Sequence, residues 1–276
     1  MKTGRVQNST NDYLSVNVKN ELSQLAEGIS NTYCPDGLVN PEVIAQRKGI
    51  TYNYGNYENA FDGLIEHLAG RFHIYINVDR LTHAYTERAR FTFAHELGHY
   101  FIDHHRNALK SGLSPSHSSF TGFVSKNYAE READYFASCL LLPETRFKTD
   151  ILRRKFKFEI LQELSKKYQT SFTATALRFA TIGNHPIMVV LCYKGAIKWY
   201  WYSDDFPYKS LRHGKSKVPE DTVAGEYFSK NEAPDNKQEV FAIDWFNYVY
   251  DSDVNRKFYE QCMFYKGYCL SVLWEN

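Results

Sequence analysis

The sequence predicts an α+β chain in two parts, on three observations. Apolar residues recur at three-to-four spacing through most of residues 16–182, around one alternating hairpin. At Asn184-His185-Pro186 the periodicity switches to two. All four tryptophans follow residue 198, in a stretch dense in tyrosine and phenylalanine. The expected organisation is a domain over 1–183, in which a small antiparallel sheet accompanies site-bearing helices. A smaller, mainly β accessory or regulatory domain is expected over 184–276.

Residues 1–15 are polar and expected to fray. Val18, Leu22, Leu25 and Ile29 then mark one face of a helix over 16–29. Asn40-Pro41-Glu42 reads as a helix start, with Asn as cap, Pro at the first position and an acid in the first turn. Gly49 stops that helix, and residues 50–54 follow as a strand. A hairpin comes next: 63–68, a turn at Ala69-Gly70, and 72–78, where Phe72, Ile74, Ile76 and Val78 alternate with polar neighbours. The second arm is a candidate edge for pairing with an extended peptide substrate. His67 and His73 are expected on the sheet face.

The chemistry concentrates in Ala94-His95-Glu96-Leu97-Gly98-His99. On a helix capped by Thr86, residues 95 and 99 lie one turn apart, so both imidazoles project from one face. That spacing suits a shared Zn²⁺, with Glu96 beside it as general base. Two histidines leave a catalytic zinc site one protein ligand short. The helix predicted from Tyr128 supplies candidates, because Glu130, Asp134, Ala137 and Leu141 share a face. Glu130 is the expected third ligand and Asp134 the acceptor for a ligand imidazole N–H. Glu132, about 160° round the helix from Asp134, is expected at the surface. Tyr128 and His105 are candidate oxyanion stabilisers. The polar stretch 106–127 reads as a long loop placed to act as a lid.

Two further helices are expected from Phe158 to about Tyr168 and from a Ser171 cap to about Ile182. In the C-terminal part, 187–193 and 196–202 form a hairpin about Lys194-Gly195, and Tyr265-Lys266-Gly267 repeats that turn. Residues 203–236 read as polar and turn-rich, and 240–249 as an aromatic strand. The aromatic side chains are expected to form a core.

Composition excludes several classes. A formal charge of +1 with interleaved signs leaves no footprint for nucleic acid. No run reaches the roughly 18 apolar residues of a membrane span, and the N-terminus lacks the apolar core of a signal peptide. Five scattered cysteines without a C-x-x-C pair argue against a disulfide framework and for a reducing cytoplasm.

The run Arg90-Phe91-Thr92-x-Ala94-His95-Glu96-Leu97-Gly98-His99, followed by Glu130-x-Glu132-Ala133-Asp134-x-Phe136-Ala137-x-x-Leu140-Leu141-x-Pro143, resembles the ImmA/IrrE family of bacterial metallopeptidases. Ile74-Tyr75-Ile76-Asn77 matches that family's strand, and the resemblance spans roughly residues 35–183. It implies a zincin-like, gluzincin-type fold with Zn²⁺ ligands at His95, His99 and Glu130. It also implies a protein substrate, often a helix-turn-helix repressor cleaved in a stress or mobile-element response. Two departures stand out. Asp134 occupies a position where the family often has Asn, and the N-terminus carries no helix-turn-helix, so the repressor would be a separate protein. The expected function is a zinc-dependent endopeptidase in which Glu96 takes a proton from the attacking water. The alternative is a low-turnover regulatory protein that holds a partner with the zinc domain and senses a signal with the C-terminal one.

Overall fold

In the computed structural model, which describes residues 14–81, 86–113, 117–119, 127–212, 214, 217–230, 232–234 and 236–275, the first helix starts at a cap. The Ser15 side chain accepts from Val18 N–H and opens α1 (Val16–Tyr33), one turn longer than expected. The Asn40 carboxamide accepts from Glu42 and Val43 N–H and opens α2 (Pro41–Arg47). Gly49, at φ +69°, turns the chain into β1 (Thr51–Gly55). The hairpin forms as β2 (Gly63–Leu68) and β3 (Arg71–Asn77). Ala69 and Gly70 both sit at positive φ, the geometry of a two-residue turn whose twist matches its strands. Residues 1–13, where fraying was expected, lie outside the described residues.

Short α3 (Val78–Leu81) leads to α4 (Glu87–Phe101), which the Thr86 hydroxyl caps by accepting from Ala89 N–H. The chain breaks helix at Ile102 and resumes as α5 (Asp103–Lys110). Residues expected in a loop from 106 are therefore helical as far as 110. Residues 117–119 form β4 (His117–Ser119), while 114–116 and 120–126 lie outside the described residues, and the lid expectation with them. α6 (Tyr128–Leu141), α7 (Glu144–Ile151), α8 (Phe158–Tyr168) and α9 (Phe172–Ile182) complete this part of the chain.

The first sheet has the order β1-β3-β2-β4, with β1 parallel to β3 and the other pairs antiparallel. The sheet is thus mixed, and β3 is internal, hydrogen-bonded to β1 on one side and β2 on the other. This corrects the expectation that the second hairpin arm offers a substrate edge, because its backbone groups are already spent on the ladder. Alternation along β3 buries Phe72, Ile74 and Ile76 in one core with Phe93, Ala94 and Leu97 of α4 and Phe136, Ala137 and Leu140 of α6.

Two compact units divide the described residues discontinuously: 14–150 with 163–174, and 151–162 with 175–275. The second unit holds β5 (Ile187–Tyr193), β6 (Ala196–Tyr202), α10 (Val223–Lys230), β7 (Gln238–Phe241), α11 (Ala242–Trp245), β8 (Lys257–Tyr265) and β9 (Tyr268–Trp274). Its strands form an antiparallel sheet in the order β6-β5-β9-β8-β7. Both Lys-Gly turns have positive φ at Lys and Gly. The expected strand over 240–249 ends at Phe241, because Asp244 accepts from Phe241 N–H and Trp245 turns inward. There its indole donates to Glu260, a fully buried carboxylate. Glu260 also accepts from Val223 N–H, Ala224 N–H and Ser271 Oγ–H, so it caps α10 inside the stretch expected to be turns. Tyr200, Tyr202, Phe206, Tyr208, Phe246 and Phe258 are buried together as core, whereas Phe241, Tyr248, Tyr250, Tyr265 and Tyr268 are exposed.

Ile74, fully buried beneath α4, gives a direct check on the first unit. Ile74→Ala should lower unfolding free energy by about 2–5 kcal/mol. Denaturant titration followed by circular dichroism measures the loss.

Candidate metal centre

The site starts from helix geometry. His95 and His99 sit one turn apart on α4, and Glu130 and Asp134 sit one turn apart on α6, which the Asn127 side chain caps by accepting from Ala129 N–H. The two helices pack face to face, and Gly98 sets how near they come. A Cβ there would lie 3.1 Å from Ala133 Cα and 3.2 Å from the Phe136 ring. The close approach brings the two residue pairs together.

His95 Nε2 lies 3.1 Å from His99 Nε2. Glu130 Oε2 is 3.4 Å from His95 Nε2, and Glu130 Oε1 is 3.3 Å from His99 Nε2. In a tetrahedral site with bonds of about 2.1 Å, donor atoms stand roughly 3.4 Å apart. The two imidazoles and the two Glu130 oxygens therefore lie near such separations, and one ligand atom from each residue stands within 4.8 Å of the others. His95 and His99 are buried, and the Glu130 side chain is 11% exposed, which leaves the cluster an approach from one side.

Each imidazole is held from behind. His95 Nδ1–H donates to Asp134 Oδ1 at 2.8 Å, as expected for that carboxylate. His99 Nδ1 meets His105 Nδ1 at 3.2 Å, and His105 Nε2 meets Glu132 Oε2 at 3.1 Å. The consistent direction is His99 Nδ1–H to His105 Nδ1, then His105 Nε2–H to Glu132. Both backings put protons on the Nδ1 atoms, so each Nε2 on the Glu130 side carries a further proton or, once that proton is displaced, offers its lone pair to a cation.

Electrostatics agree. Burial works against charge on His95, but hydrogen bonds to Asp134 and Glu130 outweigh it and carry its pKa up to about 10. The carboxylates thus demand positive charge at this point, which a proton or a metal ion can supply. His105 goes the other way, to about 4, because burial and the neighbouring His99 and His104 outweigh Glu132. It is neutral at pH 7 and carries the single N–H that the chain of hydrogen bonds needs.

Glu96 is fully buried on the same helical turn as His95. Gly63, at the start of β2, faces it so closely that a Cβ would stand 2.5 Å from Glu96 Oε1 and 2.6 Å from Thr92 Cγ2. The loop ahead of Gly63 is pinned by Asn77, whose carboxamide donates to Glu58 O and Phe61 O and accepts from Tyr57 N–H and Asp79 N–H. Buried Asp62 accepts from Arg80 at 2.5 Å and Arg88 at 3.0 Å.

Of the sequence-predicted residues, His95, Glu96, His99, Glu130 and Asp134 come together. Tyr128 begins α6 with its side chain 43% exposed, and His105 has both ring nitrogens engaged with His99 and Glu132. Glu132, expected at the surface, is 4% exposed. The correction has a simple cause: after the break at Ile102, the opening turn of α5 brings His104 and His105 onto the Glu132 carboxylate. Gly63, Asn77 and Asp62 were missed. A buried Asn ending an alternating apolar strand was the one signal available for them.

Comparisons with known proteins agree with this geometry. No curated protein matches the chain. Among solved structures, a Mycobacterium tuberculosis transcriptional regulator is similar with a TM-score of 0.58 at 14% identity, over 93% of this chain and 76% of that one. At this identity the likeness is one of fold. Residues 60–180 match a metallopeptidase family model, Peptidase_M78, described as the IrrE N-terminal-like domain. Residues 60–180, which include His95, Glu96, His99 and Glu130, are therefore the part of the chain that is similar to the IrrE N-terminal-like domain of the Peptidase_M78 family.

Proposed function

We propose that this chain is a zinc-dependent endopeptidase. In this reading His95, His99 and Glu130 are the zinc ligands and Glu96 is the general base. The observation that carries it is the convergence of two imidazoles and a carboxylate, with one ligand atom of each within 4.8 Å of the others, beside a buried carboxylate on the same turn. Two imidazoles and one carboxylate suit Zn²⁺ and leave a fourth position open. Zinc held there supplies an electrophile that acidifies water and polarises a carbonyl.

The chain's own residues do the rest. Glu96 takes the proton of the attacking water and delivers it to the leaving amine. Gly63 admits the Glu96 carboxylate where any larger residue would collide with it. Asp134 holds His95 in its metal-ready tautomer, and Glu132 does the same for His99 through His105. The family resemblance supports a protein substrate, with a separate helix-turn-helix repressor of a stress or mobile-element response as the leading class. Among the described residues no helix is long and apolar enough to cross a membrane. The C-terminal residues 184–276 serve in this reading as an accessory or regulatory domain.

Glu96→Gln should keep bound zinc and lose roughly 10²–10⁴-fold in cleavage rate. Undiminished cleavage would refute the general-base role. Glu130→Ala should lower zinc occupancy, read by elemental analysis of purified protein. Incubation with a candidate repressor separates an enzyme from a binding protein. Chelator-sensitive fragments support the enzyme, whereas a stable stoichiometric complex without fragments supports the binder.

Gly63→Ala should retain zinc but cost on the order of 10²-fold in rate, since a displacement near 1 Å suffices for that. Equal rates for this variant and the parent chain would show that Glu96 tolerates the intrusion.

A further inference from the structure

A second set of metal-ligating side chains lies beside the first, on the opening turn of α5 and the first half of α6. His104 Nε2 and His105 Nε2 address the same oxygen of Glu132, at 2.9 and 3.1 Å. One donor atom from each of the three lies within 4.8 Å of the others. The donor types repeat those of the first set, two imidazoles and a carboxylate, at separations one cation can span. The base of the cluster is rigid, with the side chains of His105 and Glu132 4% and 5% exposed, while His104 is 65% exposed. A cation can therefore enter along His104. It would also give a counter-ion to the buried Glu132 carboxylate, whose partners among the described residues are the imidazoles of His104 and His105.

We propose that His104, His105 and Glu132 bind a second divalent cation of the Zn²⁺ class, and that this binding weakens metal retention at His95, His99 and Glu130. The coupling rests on the proposed ligand role of the first set; the second site does not. The link is the 3.2 Å contact between His99 Nδ1 and His105 Nδ1. Across it, one ring must donate and the other accept. A cation on His99 Nε2 places that ring's proton on Nδ1, which donates to His105, whose own proton then points from Nε2 to Glu132. A cation on His105 Nε2 needs the reverse. His105 then donates from Nδ1, and His99 keeps its proton on Nε2, where the first site requires a lone pair. With both cations bound, two N–H groups face each other, the contact opens, and His99 loses its backing. Excess cation thus works against the first site through a neighbour that never touches substrate.

The test uses the full chain stripped with chelator and titrated with Zn²⁺. Native mass spectrometry counts bound ions, and calorimetry gives affinities. The parent chain should take two equivalents, the second more weakly. His104→Ala, a change at an exposed side chain, should take one, with the tighter affinity retained. Glu130→Ala should keep one equivalent, bound about tenfold more tightly than the parent's second, because coupling is reciprocal. A single equivalent in the parent, or a weak equivalent unaffected by His104→Ala, would overturn the second site. A remaining equivalent in Glu130→Ala no tighter than the parent's second would overturn the coupling. Two equivalents in Glu130→Ala would count against the first-site reading alone, since the His104→Ala difference is measured without it.

Discussion

The close packing of α4 on α6 at Gly98 and Ala133 is the constraint on which the site depends. Neither helix carries a complete set of donors. α4 contributes two imidazoles and the buried carboxylate of Glu96, and α6 contributes the carboxylates of Glu130 and Asp134. Their separation is set by the absence of a side chain at Gly98, where a Cβ would already press on Ala133 Cα. Protein interiors are packed densely enough that even one methylene here is felt. The same packing buries Phe93, Leu97, Phe136 and Leu140 against β3, so core formation and donor placement are one event.

Polar groups around this core are arranged in depth. Behind His95 stands Asp134, and behind His99 stand His105 and then Glu132. Each backing group orients a ring whose position alone would leave its tautomer undecided. Beside Glu96, Gly63 is positioned by Asn77, which bonds the loop that precedes it, and by Asp62, which ties that loop to Arg80 and Arg88. A buried carboxamide that satisfies four backbone groups is costly to misplace, which makes this loop a firm wall for Glu96.

The second unit uses a buried carboxylate differently. Glu260 sits at the centre of a sheet face and accepts from two backbone N–H groups of α10, from Trp245 and from Ser271. Burial pushes its pKa up, while those four donors oppose the shift. Its role is to anchor two helices to the sheet, and its lone pairs are spent on that task. By contrast, the carboxylates near His95 and His99 face imidazole donors, whose protons a metal ion can replace.

Local sequence determined much of this protein. Caps at Asn40 and Thr86, the Ala69-Gly70 turn and the two Lys-Gly turns act within a few residues, so chain order alone was enough to place them. The i, i+4 spacings of His95 with His99 and of Glu130 with Asp134 are likewise local, and the α+β class followed from periodicity. Other features depended on residues distant in sequence. Glu132 is buried where His104 and His105 of α5 meet its carboxylate, and its helical angle gave no hint of that. β3 is internal because β1 pairs with it in parallel from 22 residues away, as Thr51 with His73. α10 forms in a polar stretch because Glu260 caps it, and the strand expected beyond Phe241 becomes helix because Trp245 reaches the same carboxylate. Spacing along the chain defines which groups share a face. Only tertiary packing decides which face meets a partner.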